Sequence, residues 1–309
     1  MTGVHGLHHV TCIAGDAQEN LDFYTKVMGL RLVKKSINQD APDTYHLFFA
    51  DAVGSPGTDL TFFPWPGMGP GRIGHGLTNE VSFAVPKGSL DWWKTWLTKH
   101  GVTPSPETRR FGERTLPFTD PHGLALALVE VAAPAKTSPW EKSVVPAEHQ
   151  LRGFHGVRTW ERDPAPTAAL LTGPMGLTTV GDEDGWTRYG VNGASGTLID
   201  LKAFPDERRG SWGVGSVHHV AWRVTDSPHE LAVREAVRQH GVHTTDQIDR
   251  FWFTSVYFKE PGGALFELAT EGPGFGRDED MAHLGETLVL PPWFEPKREE
   301  IAAGLPVLK

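Results

Sequence analysis

Four segments of this chain open on a similar alternation of side chains: Leu7-His8-His9-Val10-Thr11, Thr78-Asn79-Glu80-Val81-Ser82, Gly153-Phe154-His155-Gly156-Val157 and Val217-His218-His219-Val220-Ala221. Alternation of this kind marks a strand with one buried face, and a repeat outranks any local reading because it decides the architecture. Helical stretches follow. Asp16 is placed to cap a helix carrying Leu21, Tyr24, Val27 and Met28 on one face, with Gly29 as its stop. Ser89 stands likewise before Trp93, Trp96, Leu97 and His100, with Gly101 as the end. Ser227-Pro228 starts another helix that Gly241 closes. The matching stretch of the third segment, Ala165 to Gly173, is shortened by Pro166 and Pro174.

Each segment ends on a turn and an apolar strand. The turns are Gly54-Ser55-Pro56-Gly57, Asp120-Pro121-His122-Gly123, Gly193-Ala194-Ser195-Gly196 and Glu260-Pro261-Gly262-Gly263. Four residues past the last glycine of each stand Thr61, Ala127, Asp200 and Glu267. These lie 52, 47, 45 and 48 residues after His9, Glu80, His155 and His219. So even a spacing predicts four βαβββ modules and an α+β fold of two domains. The 35 glycines and 24 prolines supply the turns that many short elements need. The expected division is residues 1–131 with modules one and two, a Pro-interrupted linker over 132–150, residues 151–272 with modules three and four, and a tail over 273–309 outside the repeat.

Composition removes several classes. With 29 Lys+Arg against 38 Asp+Glu, the net charge of -9 leaves no basic stripe for phosphates, so nucleic acid is not expected as a partner. No apolar run reaches the length of a membrane helix, so no membrane association is expected. Met1 to Thr11 lack a basic stretch followed by an apolar one, so no secretory signal is expected. Cys12 is the only cysteine, which rules out an intrachain disulfide and a Cys-rich zinc site and points to the cytoplasm.

The module pattern resembles the vicinal oxygen chelate superfamily of glyoxalases, bleomycin-resistance proteins and extradiol dioxygenases, whose paired modules curl their sheets around a metal. Each module has two special slots, one on its opening strand and one on its closing strand. Modules one and four supply His9, Thr61, His219 and Glu267; modules two and three supply Glu80, Ala127, His155 and Asp200. Two imidazoles and one carboxylate with positions left open suit non-haem Fe(II), which must bind substrate and oxygen together. The same donors suit Mn(II) and Zn(II). Glu80, His155 and Asp200 are expected to form a hydrogen-bonded cluster, because buried ions need partners.

A narrower resemblance rests on Leu7 to Thr11, Phe23 to Gly29, Tyr45 to Asp51, Pro86 to Trp93, Arg152 to His155, Gly210-Ser211-Trp212, His218-His219, Arg250, Tyr257 and Glu267. These are similar to the hydroquinone-cleaving dioxygenases, the group of 2,6-dichlorohydroquinone 1,2-dioxygenase and the methylhydroquinone-cleaving enzymes. The resemblance implies metal ligation by His9, His219 and Glu267, with His8, His218, Arg250 and Tyr257 around them. It also implies a small aromatic substrate, O2 and assembly into homo-oligomers. Arg250 offers a cationic fork to an anionic phenolate or oxygen species, and Tyr257 a hydrogen bond or a proton. Adjacent strand residues point to opposite faces. His8 and His218 therefore reach the pocket only where the strand twists or bulges, or act from the layer behind.

The expected reaction is Fe(II)-dependent cleavage of a hydroquinone ring, with O2 inserted beside the carbon that carries the metal-bound hydroxyl. A glyoxalase-type lyase or isomerase commonly uses four protein ligands, and here Thr61 stands in the fourth slot. A drug-binding resistance protein on this fold needs no complete triad. Gly69 to Gly74 match a dinucleotide fingerprint as text but lack its strand-to-helix setting and read as a loop. Trp92, Trp93 and Trp96 read as helix-to-sheet packing.

Overall fold

A computed structural model of the chain describes residues 3–309. Module one comprises β1 (Leu7–Ala14), α1 (Ala17–Lys26), β2 (Arg31–Asn38), β3 (Ala41–Ala50) and β4 (Asp59–Pro64). Module two comprises β5 (Leu77–Pro86), α2 (Leu90–Lys99), β6 (Thr108–Arg110), β7 (Glu113–Thr119) and β8 (Ala125–Val131). Module three comprises β9 (Phe154–Glu161), α3 (Ala165–Thr172), β10 (Thr178–Glu183), β11 (Trp186–Gly190) and β12 (Leu198–Ala203). Module four comprises β13 (Ser216–Val224), α4 (Ser227–Gln239), β14 (Ile248–Asp249), β15 (Thr254–Lys259) and β16 (Leu265–Thr270).

The strands form two eight-stranded sheets, ordered β14-β15-β16-β13-β1-β4-β3-β2 and β10-β11-β12-β9-β5-β8-β7-β6. Module one thus shares a sheet with module four, and module two with module three, so each sheet draws strands from both sides of residues 132–150. At the centre of each, the opening strands of the two modules pair antiparallel: β1 with β13 and β5 with β9. Each closing strand lies parallel to its own opening strand. The sheets are α+β half-barrels with helices against one face, and period-2 alternation decides what each face holds. On β1, Val10 and Cys12 are fully buried in the main hydrophobic core, whereas His9 and Thr11 face the cup.

Local chemistry explains the helix ends. The Asp16 side chain accepts the Glu19 N–H at 2.8 Å, and the chain leaves α1 through Gly29 at φ +70°. Asp226 caps α4 through the His229 N–H. Ser89 differs from its expected role. The Leu90 N–H goes to Glu130 Oε1 at 3.0 Å, and the Ser89 hydroxyl points to the Glu148 carbonyl, because a full carboxylate on β8 already faces the positive helix end. Trp93 is fully buried and donates to the His149 carbonyl, while Trp92 stacks on Trp96 and His149.

The tail returns to the first sheet and packs against it, bridging to β2 at Lys35 and Leu288. Phe275 packs edge-on to Phe48, and both join a buried cluster with Phe251, Trp252, Phe253 and Leu284. Lys34, fully buried, brings a charge into this region; Asp278, Glu279 and the Phe275 carbonyl all accept from its ammonium. A buried ammonium is tolerated only with such partners. Three one-turn 3-10 helices and α5 (Arg298–Gly304) complete the tail.

Candidate metal centre

One row of residues crosses the first sheet and builds the site. Sheet register places Asp59 beside His9, His9 beside Ala221, Ala221 beside Glu267, and Glu267 beside Tyr257. His219 lies two residues before Ala221 on the same face, diagonal to His9. Diagonal neighbours on a sheet face are within reach of long side chains. Ala221, small and fully buried, leaves the gap into which the three polar side chains converge.

The convergence is tight. Nε2 of His9 and Nε2 of His219 are 3.3 Å apart, and Glu267 Oε2 lies 3.3 Å from the first and 2.9 Å from the second. Each is at most 5% exposed. Among the described residues these three are the set whose donor atoms could hold a metal ion. Glu267 Oε1 accepts the Ser255 hydroxyl at 2.5 Å, leaving Oε2 buried without a conventional hydrogen bond. Two imidazole nitrogens and an orphaned carboxylate oxygen pointed at one spot are the donor set of a divalent transition metal.

The electrostatics follow the same geometry. Burial works against charge on Glu267, but His9 and His219 outweigh it and hold the carboxyl well below the usual range. Burial also opposes protonation of His9, yet Glu267 raises it above its ordinary value. His219 is lowered by burial despite Glu267. Of the two imidazoles, His9 is therefore the one whose protonation the site favours.

His8 and His218 stand beside His9 and His219. Nδ1 of His8 lies 2.9 Å from Nδ1 of His9, and Nδ1 of His218 lies 2.8 Å from Nδ1 of His219. The β1–β13 ladder slips register between Leu7 and His9, the kind of irregularity that re-aims a side chain. Burial pushes the pKa of both outer imidazoles down to about 3, which keeps them neutral. His218 also lines the cavity in front of the triad.

That cavity, about 470 Å³, has Arg250, Tyr257, His46, Trp65 and Asn38 among its walls. Asp40 grips Arg250 in a fork, Oδ2 to Nη2 at 2.9 Å and Oδ1 to Nη1 at 3.3 Å. The guanidinium carbon sits 5.2 Å from the Tyr257 ring centre. Burial disfavours the charge on Arg250, but Tyr257 and Asp40 keep it firmly cationic. Burial and Glu267 push the Tyr257 phenol up, so it retains its proton. Phe253 packs against both His8 and His9 at ring distances of 5.3 and 5.2 Å.

The fourth slot is closed to a metal by chemistry and by hydrogen bonding. Thr61 Oγ1 is shared by Thr11 Oγ1 at 2.7 Å and His46 Nε2 at 2.8 Å. In the other sheet the matching slots form an ion-pair cluster. Asp200 binds Arg188 at 2.7 Å and Arg158 at 3.2 Å, His155 lies 3.1 Å from Glu113, and Glu80 pairs with Arg110. Guanidinium groups occupy the space a metal would need.

Sequence reasoning missed Ser255, Asp40, His46 and Thr270. Ser255 was findable, because it stands two residues before Tyr257 on the same strand and hence the same face. Asp40 was not, since 210 residues separate it from Arg250.

The family model described as Glyoxalase/Bleomycin resistance protein/Dioxygenase superfamily matches residues 6–128. The chain is 44% identical over 300 residues to "Putative ring-cleaving dioxygenase MhqO" of Bacillus subtilis (strain 168), covering 97% of this chain and 95% of that one. It is 35% identical over 305 residues to "Chlorohydroquinone/hydroquinone 1,2-dioxygenase" of Sphingobium indicum, covering 96% and 95%. The crystal structure of a putative dioxygenase from Bacillus subtilis subsp. subtilis str. 168 superposes with a TM-score of 0.94 at 42% identity, covering 99% of this chain and 98% of that one.

Proposed function

Since the chain belongs to the Glyoxalase/Bleomycin resistance protein/Dioxygenase superfamily and is a ring-cleaving dioxygenase within it, we propose that it opens a hydroquinone ring with O2, using Fe(II) held by His9, His219 and Glu267. The observation that carries this reading is the orphaned Glu267 Oε2 facing two imidazole nitrogens at the base of an open cavity. Iron, when bound, supplies a centre that holds substrate and dioxygen together and lets electron density pass from ring to oxygen. Mn(II) and Zn(II) fit the same donors, and iron is preferred because the reaction requires oxygen activation.

The chain's own residues divide the remaining work. Arg250, paired with Asp40 at two nitrogens, turns a cation toward negative charge on the substrate oxygen. Tyr257 keeps its phenolic proton and offers it to a basic oxygen. His8 and His218 orient the two ligand imidazoles through their Nδ1 atoms. Three ligands, with Thr61 engaged elsewhere, leave more open positions than a four-ligand lyase site would, which favours ring cleavage over glyoxalase-type isomerisation.

No helix among the described residues is long and apolar enough to cross a membrane. We assign the enzyme to the cytoplasm, in keeping with its single buried cysteine, and expect it to act as a homo-oligomer.

Oxygen uptake by protein reconstituted anaerobically with Fe(II) tests the proposal, with methylhydroquinone as substrate and catechol as control. Uptake with the hydroquinone that disappears in His219→Ala and Glu267→Gln is expected. Stoichiometric metal without uptake would shift the assignment to lyase or isomerase chemistry.

A further inference from the structure

His8 and His218 hold equivalent places on β1 and β13, each joined Nδ1 to Nδ1 with the histidine that follows it. Their outer nitrogens differ. Nε2 of His8 is tied to the Thr270 carbonyl at 3.1 Å, so two bonds at opposite corners fix its ring. Nε2 of His218 has no hydrogen-bond partner among the described residues. One hydrogen bond alone does not fix the plane of the ring, which is then set by what packs against it.

Three aromatic rings border this imidazole: Phe63 meets it edge-on at 5.5 Å and Trp65 tilted at 6.4 Å, and only Trp212 lies flat on it. The indole and the His218 imidazole stack with centroids 4.4 Å apart and planes 19° from parallel. Trp212 is 38% exposed, so burying this ring in the core is not what holds it there. Its loop is instead pinned by the loop between β4 and β5. Arg72 and Ser211 exchange backbone hydrogen bonds at 3.0 Å in both directions, Gly210 donates to His75, and Val214 donates to Gly69. Glycines make the crossing possible: a Cβ on Gly213 would lie 2.4 Å from the Gly71 nitrogen, and one on Gly74 would lie 2.2 Å from the Arg208 oxygen. The glycine run that resembles a dinucleotide fingerprint thus serves a close contact of two backbones, and that contact places Trp212.

We propose that Trp212 is a positioning residue that does for His218, by stacking, what the Thr270 carbonyl does for His8 by hydrogen bonding. The flat contact fixes the plane of the His218 imidazole, keeps its Nδ1 on Nδ1 of His219, and so keeps Nε2 of His219 turned toward Glu267. This rests on the reading of His219 as a metal ligand. It assigns to an exposed loop tryptophan a part in setting metal affinity, at two removes from the metal.

The test is a titration of the metal-free chain with Co(II), followed by visible absorption, in the parent and in W212A, W212F, H218A, H219A and the double variant W212A/H218A. W212A should weaken Co(II) binding roughly fivefold, the scale of one lost aromatic stack, and W212F should recover to within about twofold. H218A should weaken it about 10–100-fold, and the double variant should bind no more weakly than H218A alone. Parent-like affinity in W212A beside a weakened H218A would overturn the proposal. So would failure of W212F to recover, or a double variant weaker than H218A, since Trp212 would then act by another route. Parent-like binding in H219A would instead bring down the metal-centre reading, and this inference with it.

Discussion

The backbone carbonyl of Thr270 determines which nitrogen of His8 carries a proton. A carbonyl can only accept, so Nε2 of His8, 3.1 Å away, is the donor. Neutral His8 is then left with a lone pair on Nδ1, which accepts from Nδ1 of His9 at 2.9 Å. Nε2 of His9, once the ring is neutral, is left with the lone pair a metal needs. A buried carbonyl on β16 thus selects the tautomer in which a histidine on β1 presents the Nε2 lone pair to the candidate metal centre.

His8→Phe removes the first link of that chain while retaining ring volume. Metal affinity should fall about 10–100-fold, the usual cost of losing such an orienting partner. Competition against a chelator of known affinity measures it, and an unchanged value would show that His9 orients itself.

Metal binding should depend on pH through His9. Because Glu267 holds the His9 pKa above its ordinary 6.5 in the metal-free chain, an incoming ion must expel that proton. Affinity should fall about tenfold per pH unit below the raised pKa and level off above it. Calorimetry in buffers of different ionisation heat should find one proton released per metal at pH 6 and none well above the raised value. The sign for stability is opposite. In the metal-free fold, protonated His9 contributes fully below pH 6.5, and the contribution is lost as pH rises through the raised pKa.

Ala221→Val should abolish metal binding without unfolding the chain. Ala221 lies between His9 and Glu267 in sheet register, so extra methyl groups enter the space where the donors meet. Overpacking costs about 1–3 kcal/mol, which thermal denaturation will read. Metal content by elemental analysis should drop to background, and full occupancy would refute the gap's role.

Arg250→Lys should lower kcat/KM about 100-fold with little change in metal content. A lysine keeps the charge but cannot be gripped at two nitrogens by Asp40. Asp40→Asn should show a smaller loss of the same kind, and steady-state kinetics on both variants separate orientation from charge.

Asp200→Asn probes the second sheet. Its carboxylate neutralises Arg188 and Arg158 while only 3% exposed. Weakening that compensation should destabilise the chain by about 3 kcal/mol, seen in chemical denaturation. Metal stoichiometry should remain one per chain. A loss of metal would mean that the second cup contributes a site after all.

Much of this molecule was legible in one dimension. Strand alternation and module length are local properties, so the spacing from His9 to Thr61 and from His219 to Glu267 located opening and closing strands that the fold places side by side. The same regularity brought His9, His219 and Glu267 forward as a set. The capping role of Ser89 was misread because its competitor, Glu130, arrives from another strand.

Tertiary structure alone decided what surrounds the triad. Asp40 meets Arg250, Thr270 meets His8, Trp212 meets His218, and the tail's Asp278 and Glu279 meet Lys34. The first, second and fourth of these join residues more than 200 positions apart, and the third depends on two loops crossing at glycines. Hydrogen bonds and stacking act over a few ångströms in space and impose no period along the chain. A periodic sequence can therefore announce its strands and their special positions, while the partners that tune those positions exist only once the sheets have closed.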